Sequence, residues 1–154
     1  MTTKEKLLAL LENSKGTFFS GEEIARTLQV SRAAVWKAVN ALREDGYTID
    51  AATNKGYRLS PDSDILSPQG IRRFLKPEYR DLDLTVLPTA PSTNALVREK
   101  ANQGRPEGCV IIACEQTDGR GRYGRQFFSP VDSGVYLSLL LRPTTYSPQQ
   151  ATCL

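Results

Sequence analysis

Three helix-start signals near the N-terminus constrain the fold of this chain more than any other feature. Thr2 with Glu5 and Ser20 with Glu23 each form a capping box, in which a hydroxyl and a carboxylate satisfy backbone N–H groups at a helix start. Ser31 is a third cap, and the apolar residues after it follow the i, i+3, i+4, i+7 spacing of one buried helix face. The N-terminal segment is therefore predicted to form three short helices joined by tight turns.

A hairpin is predicted after the third helix. Gly46 stands where a helix end requires a left-handed residue, residues 47–50 and 57–59 have strand-like composition, and residues 54–56 form a turn. Three helices and a hairpin with a basic tip form a winged helix-turn-helix, whose third helix enters the major groove of DNA. The residues predicted to contact DNA are Ser31, Arg32, Ala33, Trp36, Lys37, Lys55 and Arg58.

The charge of this segment leaves a second interpretation open. Residues 1–64 carry nine basic and nine acidic side chains, so attraction to DNA must come from local clustering and from dimerisation. A three-helix bundle with a hairpin and ordinary solvated charges fits the same pattern. Trp36 is also compatible with two roles, because it can face DNA or shield one edge of the core.

A polar stretch at residues 60–64 ends the alternation of the hairpin, as is typical of a domain boundary. We therefore predict a DNA-binding domain at residues 1–60, a linker at residues 61–66 and a second domain from residue 67 to the last residue, Leu154.

The second segment mixes helices and strands, which indicates an α+β chain overall. Ser67 followed by Pro68 predicts the start of one helix, and Ser92 predicts the cap of another. The predicted strands are residues 82–87, which the following prolines should end, residues 109–114 and residues 135–141.

Three glycines and three arginines lie between the last two predicted strands, at residues 119–125, hereafter the glycine–arginine loop. Its glycines match G-x-G-x-x-G, but a dinucleotide site needs a helix directly afterwards, and residues 126–130 predict none. Glycine permits close backbone approach, and arginine forms bidentate bonds to phosphate or carboxylate. The loop is therefore predicted to close over an anionic ligand, although a solvated hairpin with incidental charge remains an alternative.

Composition excludes several classes of protein. The 40% hydrophobic and 24% charged residues are typical of a globular protein, and the apolar runs are too short to span a membrane. The absence of histidine and the spacing of the three cysteines argue against a metal site. With no secretory signal pattern at the N-terminus, a cytoplasmic protein is expected.

Three motifs resemble the family of bifunctional biotin protein ligases and biotin operon repressors: residues 31–37 with the wing sequence 55–57, residues 92–94, and the glycine–arginine loop followed by Ser129 and Pro130. The resemblance covers essentially the whole chain. It implies a winged helix-turn-helix followed by the first part of an α/β biotin ligase domain of the class II synthetase-like type.

The resemblance also implies a function. Such a ligase joins biotin to ATP, with Mg²⁺, to form biotinyl-5'-AMP, transfers biotin to a lysine of a biotin carboxyl carrier protein, and represses biotin synthesis as a ligand-dependent homodimer on the operator. The implied biotin-binding residues are Ser92, Thr93, Asn94, Gln116, Arg120, Gly121 and Arg122. Gly119, Gly124 and Arg125 complete the implied adenylate loop.

Two departures from the family pattern qualify this expectation. Phe127 stands where the family usually has tryptophan, which keeps an aromatic surface but loses an indole donor. The family's catalytic lysine would lie beyond Leu154, so no catalytic residue is predicted within this chain and the ligase domain is expected to be incomplete. The alternative function is a non-enzymatic winged-helix repressor that senses a small anionic metabolite.

Overall fold

The computed structural model describes residues 1–131, 133–143 and 150, and it divides into two compact units, Met1–Glu78 and Tyr79–Leu154. Among the described residues, no helix combines the length and hydrophobicity needed to cross a membrane. The two units are described separately.

The first unit contains the three predicted helices, each beginning at its predicted cap. Its elements are α1 (Thr3–Asn13), α2 (Gly21–Leu28), α3 (Arg32–Glu44), β1 (Ile49–Ala52), β2 (Gly56–Leu59) and α4 (Pro68–Phe74). The Thr2 capping box is complete, and the hydroxyls of Ser20 and Ser31 each accept a backbone N–H. The prediction of three capped helices is thus confirmed.

The core of the first unit is assembled from the apolar faces of α1, α2 and α3 and is closed by the wing, the hairpin of β1 and β2. Seven of its side chains have 1% or less of their surface exposed; they are Leu7, Leu11, Ile24, Val35, Val39, Leu42 and Leu59. The helical residues of this core follow from the apolar spacing of the helices, whereas Leu59 is contributed by the wing.

The wing pairs in an antiparallel register with Ile49 opposite Leu59. Its first strand begins two residues later than predicted, after Tyr47 and Thr48. Tyr57 also exchanges both backbone hydrogen bonds with Phe19, so a third extended segment joins the hairpin beside β2. The segment before α2 is thereby joined to the wing.

Helix α4 packs within the first unit rather than the second. The Ser67 hydroxyl caps α4 at Gly70 N–H and donates to the buried carboxylate of Glu12, and Arg73 donates to the Glu12 carbonyl at 2.7 Å. The first compact unit therefore extends to Glu78, beyond the predicted linker at residues 61–66, because these bonds tie α4 to α1. The functional extent of residues 1–60 and 67–154 stays a prediction.

In its described residues, the second unit has a three-stranded sheet and an α-helix. Its elements are β3 (Asp83–Ala90), α5 (Thr93–Asn102), β4 (Cys109–Gln116) and β5 (Tyr136–Leu139), in the sheet order β3-β4-β5. Strand β3 is parallel to β4, and β5 is antiparallel to it. Helix α5 covers one sheet face, where Val97 packs with Cys109, Ile111 and Leu140.

One predicted strand end is wrong. Residues 88–91 were expected to break the strand, but β3 continues through Pro88 to Ala90, and Thr89 still pairs with Glu115. The reason is the position of β3 at the edge of the sheet, where a residue without an N–H removes no bond from the ladder.

Candidate functional site

The outer face of α3 is set by the same periodicity that buries its inner face. Ser31 uses its hydroxyl to cap the helix, accepting from Ala34 N–H at 3.2 Å. Arg32, Ala33 and Lys37 are exposed, and Trp36 has 58% of its surface exposed. Trp36 therefore does not shield the core, and α3 presents a face of one aromatic, one small and two basic residues to solvent.

A groove of about 720 Å³ separates this face of α3 from the wing. Arg32, Ala33 and Trp36 line it from the helix, and Thr53 and Asn54 line it from the tip of the wing. A helix with an adjoining hairpin on either side of an open groove is the arrangement with which a winged helix contacts duplex DNA.

The two wing cations differ in their surroundings. Lys55 lies in the exposed turn between β1 and β2. Arg58 is on β2 directly opposite Asp50, and its Nε lies 2.8 Å from an Asp50 carboxylate oxygen. The sequence predicted the same role for both residues, whereas the structure gives Arg58 a protein partner.

A second polar site lies where β3 and β4 end. Because the two strands are parallel, their carboxyl ends meet at one edge of the sheet, and the N-terminus of α5 lies there too. The Gln116 side-chain carbonyl accepts from Thr93 N–H at 2.8 Å and from the Thr93 hydroxyl at 3.2 Å. Thr93 and Gln116, 23 residues apart in sequence, are thus brought together.

Two serines complete this site, and neither was predicted as a binding residue. The Gln116 amide donates to the Ser129 hydroxyl at 3.4 Å, and the Thr93 and Ser138 hydroxyls are 2.9 Å apart. Ser129 was recognised only as part of a motif. Ser138 could have been recognised from the sequence as a serine that lies between two leucines in a predicted strand. We name Thr93, Gln116, Ser129 and Ser138 the polar cluster.

Two other predicted residues of this segment are placed differently. The Ser92 hydroxyl accepts from Ala95 N–H at 3.4 Å and thereby caps α5, and Asn94 is exposed on the first turn of that helix. Neither belongs to the hydrogen-bonded polar cluster. Both stay predicted ligand contacts from the rim of the site.

The glycine–arginine loop forms a short hairpin next to the polar cluster. Phe127 N–H donates to Gly119 O, and Gly121 N–H donates to Arg125 O, both at 2.8 Å. A Cβ on Gly119 would lie 2.7 Å from the Phe127 carbonyl oxygen, so this position requires glycine. No helix follows in residues 125–131, which confirms that the G-x-G-x-x-G match is not a dinucleotide-binding turn.

The cations of this loop are exposed. Arg120 makes an ion pair with Asp118 at 3.2 Å, with both side chains mostly in solvent. Arg122 and Arg125 are exposed on either side of Tyr123, whose backbone is left-handed with φ +59°. The hairpin thus presents guanidinium groups to solvent beside the uncharged hydrogen-bonding groups of the polar cluster.

The thiol of Cys109 is not suited to act as a nucleophile. It is buried under α5, and burial raises the pKa of the Cys109 thiol, with a further increase from the nearby Asp83 carboxylate. A protonated, buried thiol is a poor nucleophile.

Comparison with known proteins agrees with the two-unit organisation. Residues 3–58 match an HTH domain, and residues 86–154 match the Biotin/lipoate A/B protein ligase family. The chain is 39% identical over 142 residues to the bifunctional ligase/repressor BirA of Bacillus subtilis and 37% identical over 141 residues to that of Escherichia coli.

The alignments cover a larger share of this chain than of its relatives. Each covers 92% of this chain but only 44% of the Bacillus protein and 42% of the Escherichia protein, so the chain spans less than half the length of these relatives. The order of the two matched segments is the order of the two units in the fold. The chain is therefore similar to these bifunctional ligase/repressors in two consecutive segments, a helix-turn-helix segment and a segment that matches the Biotin/lipoate A/B protein ligase family.

Proposed function

We propose that this chain carries the DNA-binding surface and part of the biotin-binding pocket of a biotin protein ligase that is also a repressor of biotin synthesis. The reaction would join biotin to ATP, giving biotinyl-5'-AMP and pyrophosphate. The lysine amine of a biotin carboxyl carrier protein would then attack the carbonyl carbon of the adenylate, forming an amide to biotin and releasing AMP. Mg²⁺ would enter with ATP as part of the substrate, and a cytoplasmic location would give access to all of these partners.

The observation that carries this proposal is the polar cluster beside the arginine hairpin. Biotin has a ureido ring with one carbonyl and two N–H groups, which need directional donors and acceptors within a pocket. Gln116 offers both an amide donor and a carbonyl acceptor, and the hydroxyls of Thr93 and Ser138 can donate or accept. The cluster therefore suits a neutral cyclic urea better than a charged group.

The charged part of the substrate would face the glycine–arginine loop. Biotin's carboxylate and the α-phosphate of ATP are both anions, so the reaction needs them held together and partly neutralised. Arg120, Arg122 and Arg125 supply three guanidinium groups on one short hairpin. Their role would be to position the two anions and to retain the adenylate until transfer.

In the DNA-binding half, α3 would enter the major groove and the wing would contact the neighbouring backbone. Arg32 near the helix start would reach base edges or phosphate, Ala33 would allow close approach, and Lys37 would contact phosphate. Because residues 1–64 carry no net charge, a monomer should bind weakly. Ligand-dependent homodimerisation would supply the remaining affinity by engaging two half-sites.

The DNA-binding proposal is tested by removing one cation at a time. Arg32→Ala and Lys37→Ala should each weaken duplex binding by about 1 to 3 kcal/mol if they contact bases or buried phosphate. Fluorescence anisotropy with a labelled duplex, selected from a random pool by the unmodified chain, measures this. Unchanged binding in both variants would show that α3 is not the reading helix.

The biotin proposal is tested at Gln116. Calorimetric titration of the chain with biotin should show binding, and Gln116→Ala should weaken it by about 1 to 3 kcal/mol because a directional partner is lost. Gln103→Ala is a matched control, since Gln103 is the C-cap of α5 and its side-chain amide donates to Glu99. Binding of small anions with no response to biotin would instead favour a non-enzymatic repressor that senses an anionic metabolite, which the arginine hairpin alone would support.

A further inference from the structure

The outer face of the wing carries a row of three side chains that crosses three extended segments. Asp50 on β1 pairs directly with Arg58 on β2. Phe19 pairs antiparallel with Tyr57, which places Phe18 across from Arg58 on the third segment. Phe18, Arg58 and Asp50 are therefore neighbours in one line, here named the wing row.

The contacts along the wing row are specific to a guanidinium group. The Arg58 guanidinium carbon lies 4.7 Å from the centre of the Phe18 ring, while its Nε lies 2.8 Å from the Asp50 carboxylate. An arginine can stack on a ring and bind a carboxylate at the same time, because its charge is spread over a planar fork. The Arg58 guanidinium is thus oriented within the protein by two partners, the Phe18 ring and the Asp50 carboxylate.

The turn at the tip of the wing also contacts the segment that contains Phe18. The Lys55 Nζ lies 6.0 Å from the centre of the Phe18 ring. Gly56, beside it, has φ +95°, and a Cβ there would lie 2.0 Å from the Phe19 carbonyl oxygen. The turn that carries Lys55 is therefore held against the segment containing Phe18 and Phe19.

From this geometry we propose that Arg58 is a positioning residue rather than a phosphate contact. The wing row fixes the hairpin so that Lys55 contacts the DNA backbone, with Phe18 and Asp50 supporting Arg58. The inference rests on the proposed DNA binding, but it makes a different claim: of the two wing cations, only Lys55 contacts phosphate.

The Asp50→Asn variant distinguishes a phosphate contact by Arg58 from a supporting role, because the two roles predict opposite changes in DNA affinity. Asp50→Asn raises the net charge by one, so it should strengthen DNA binding if Arg58 is a phosphate contact that Asp50 partly neutralises. If the wing row is a support, the same change should weaken binding by about twofold to fivefold, the range of a partly exposed ion pair. Asp62→Asn, an exposed acid in the polar stretch after the wing, is the matched control for charge alone and should not weaken binding.

A conservative variant gives a second measurement. Arg58→Lys keeps the positive charge but loses the stacking plane and the fork. A lysine can replace arginine at a phosphate, so a phosphate contact would survive this change, whereas the support should be lost and binding should weaken as in Asp50→Asn. Thermal unfolding followed by circular dichroism establishes that each variant is folded at the assay temperature.

The salt dependence of the DNA-binding constant identifies which of the two wing cations contacts phosphate. Lys55→Gln should reduce the slope of log K against log salt by about 1. Asp50→Asn should reduce the slope by a similar amount although it removes no cation, and the Asp50→Asn, Lys55→Gln double variant should show no further reduction. A loss of stability alone would leave the slope unchanged.

The outcomes for the full chain are distinct. Failure of the unmodified chain to bind any duplex would overturn the proposed DNA binding itself. Binding by the unmodified chain together with equal or tighter binding by Asp50→Asn, or unchanged binding by Arg58→Lys, would overturn the role of the wing row and return Arg58 to the DNA contacts.

Discussion

The two units bury their apolar residues in different ways. In the first unit, three helices and the wing enclose a core in which side chains such as Leu42 have almost no exposed surface. In the second unit, α5 covers one sheet face, but on the opposite face of β5 Leu137 and Leu139 are 58% and 44% exposed. Among the residues that the structure describes, the first unit thus encloses the apolar side chains of its core, whereas the second leaves Leu137 and Leu139 at the surface of its sheet.

The difference follows from how local the contacts are. Helix packing in the first unit joins neighbours in sequence, so a segment of fewer than eighty residues contains its own core. In the second unit, the buried cluster under α5 joins a helix to strands that are distant in sequence, and Leu137 and Leu139 of β5 stay partly exposed. We therefore expect the first unit to be the more stable of the two and the more sensitive to core substitutions.

The largest effect should come from Leu42→Ala. Leu42 is fully buried between helices, so truncation should lower the free energy of unfolding of the first unit by about 2 to 5 kcal/mol. Leu139→Ala in the second unit is the matched change at an exposed position and should alter stability by about 0.5 kcal/mol or less. Denaturant unfolding followed by hydrogen exchange on each unit measures both.

Equal losses in the two variants would contradict the contrast between the units. Such a result would mean that Leu139 is buried in solution, and strong protection of the backbone amides of β5 from hydrogen exchange would agree with that.

The second comparison concerns one glycine in the turn of the wing and one in the glycine–arginine loop. Gly56→Ala should destabilise the first unit by on the order of 3 kcal/mol, because alanine disfavours φ +95° and its Cβ meets the Phe19 backbone. Gly121→Ala in the glycine–arginine loop should cost less than about 0.5 kcal/mol, since the nearest atom, Arg125 O, would lie at 3.6 Å from the Cβ. Thermal unfolding of both variants tests this.

A larger loss of stability in Gly121→Ala than in Gly56→Ala would show that the glycine–arginine loop, and not the wing, is the loop that requires glycine. That outcome would also remove the structural basis for a wing that positions Lys55.

The smallest of the three effects concerns Arg122. Arg122→Ala should release biotinyl-5'-AMP faster, with an affinity loss of about 1.5 to 3 kcal/mol for a charged hydrogen bond to phosphate. Because Arg122 belongs to the second unit, DNA binding by α3 and the wing in the absence of ligand should be unchanged. Competition binding of the adenylate and anisotropy with duplex DNA provide the two measurements.

Limited proteolysis sharpens this prediction. If the glycine–arginine loop closes over the adenylate, trypsin should cleave after Arg120, Arg122 and Arg125 more slowly when biotin and ATP are present. Cleavage at the same rate in both conditions would contradict the closing loop, and an unchanged adenylate affinity in Arg122→Ala would contradict the phosphate contact.

The sequence alone determined the features that depend on local periodicity and capping. The helix starts at Thr2, Ser20 and Ser31 follow from hydroxyl caps, and the buried face of α3 follows from its spacing. The rejection of the dinucleotide-binding turn also follows from local residues, because the required helix would be adjacent in sequence. These features involve partners within a few residues, so their physical causes are visible in the sequence itself.

Only the tertiary structure decided the features that depend on distant partners. Arg58 is bound by Asp50 and Phe18, α4 is tied to α1 through Glu12, and Ser138 joins Thr93 across the sheet face. Pro88 is tolerated because β3 is an edge strand, which depends on sheet order. A basic residue or a serine has the same local signature whether or not it has a partner, and that partner is brought near only when the chain folds.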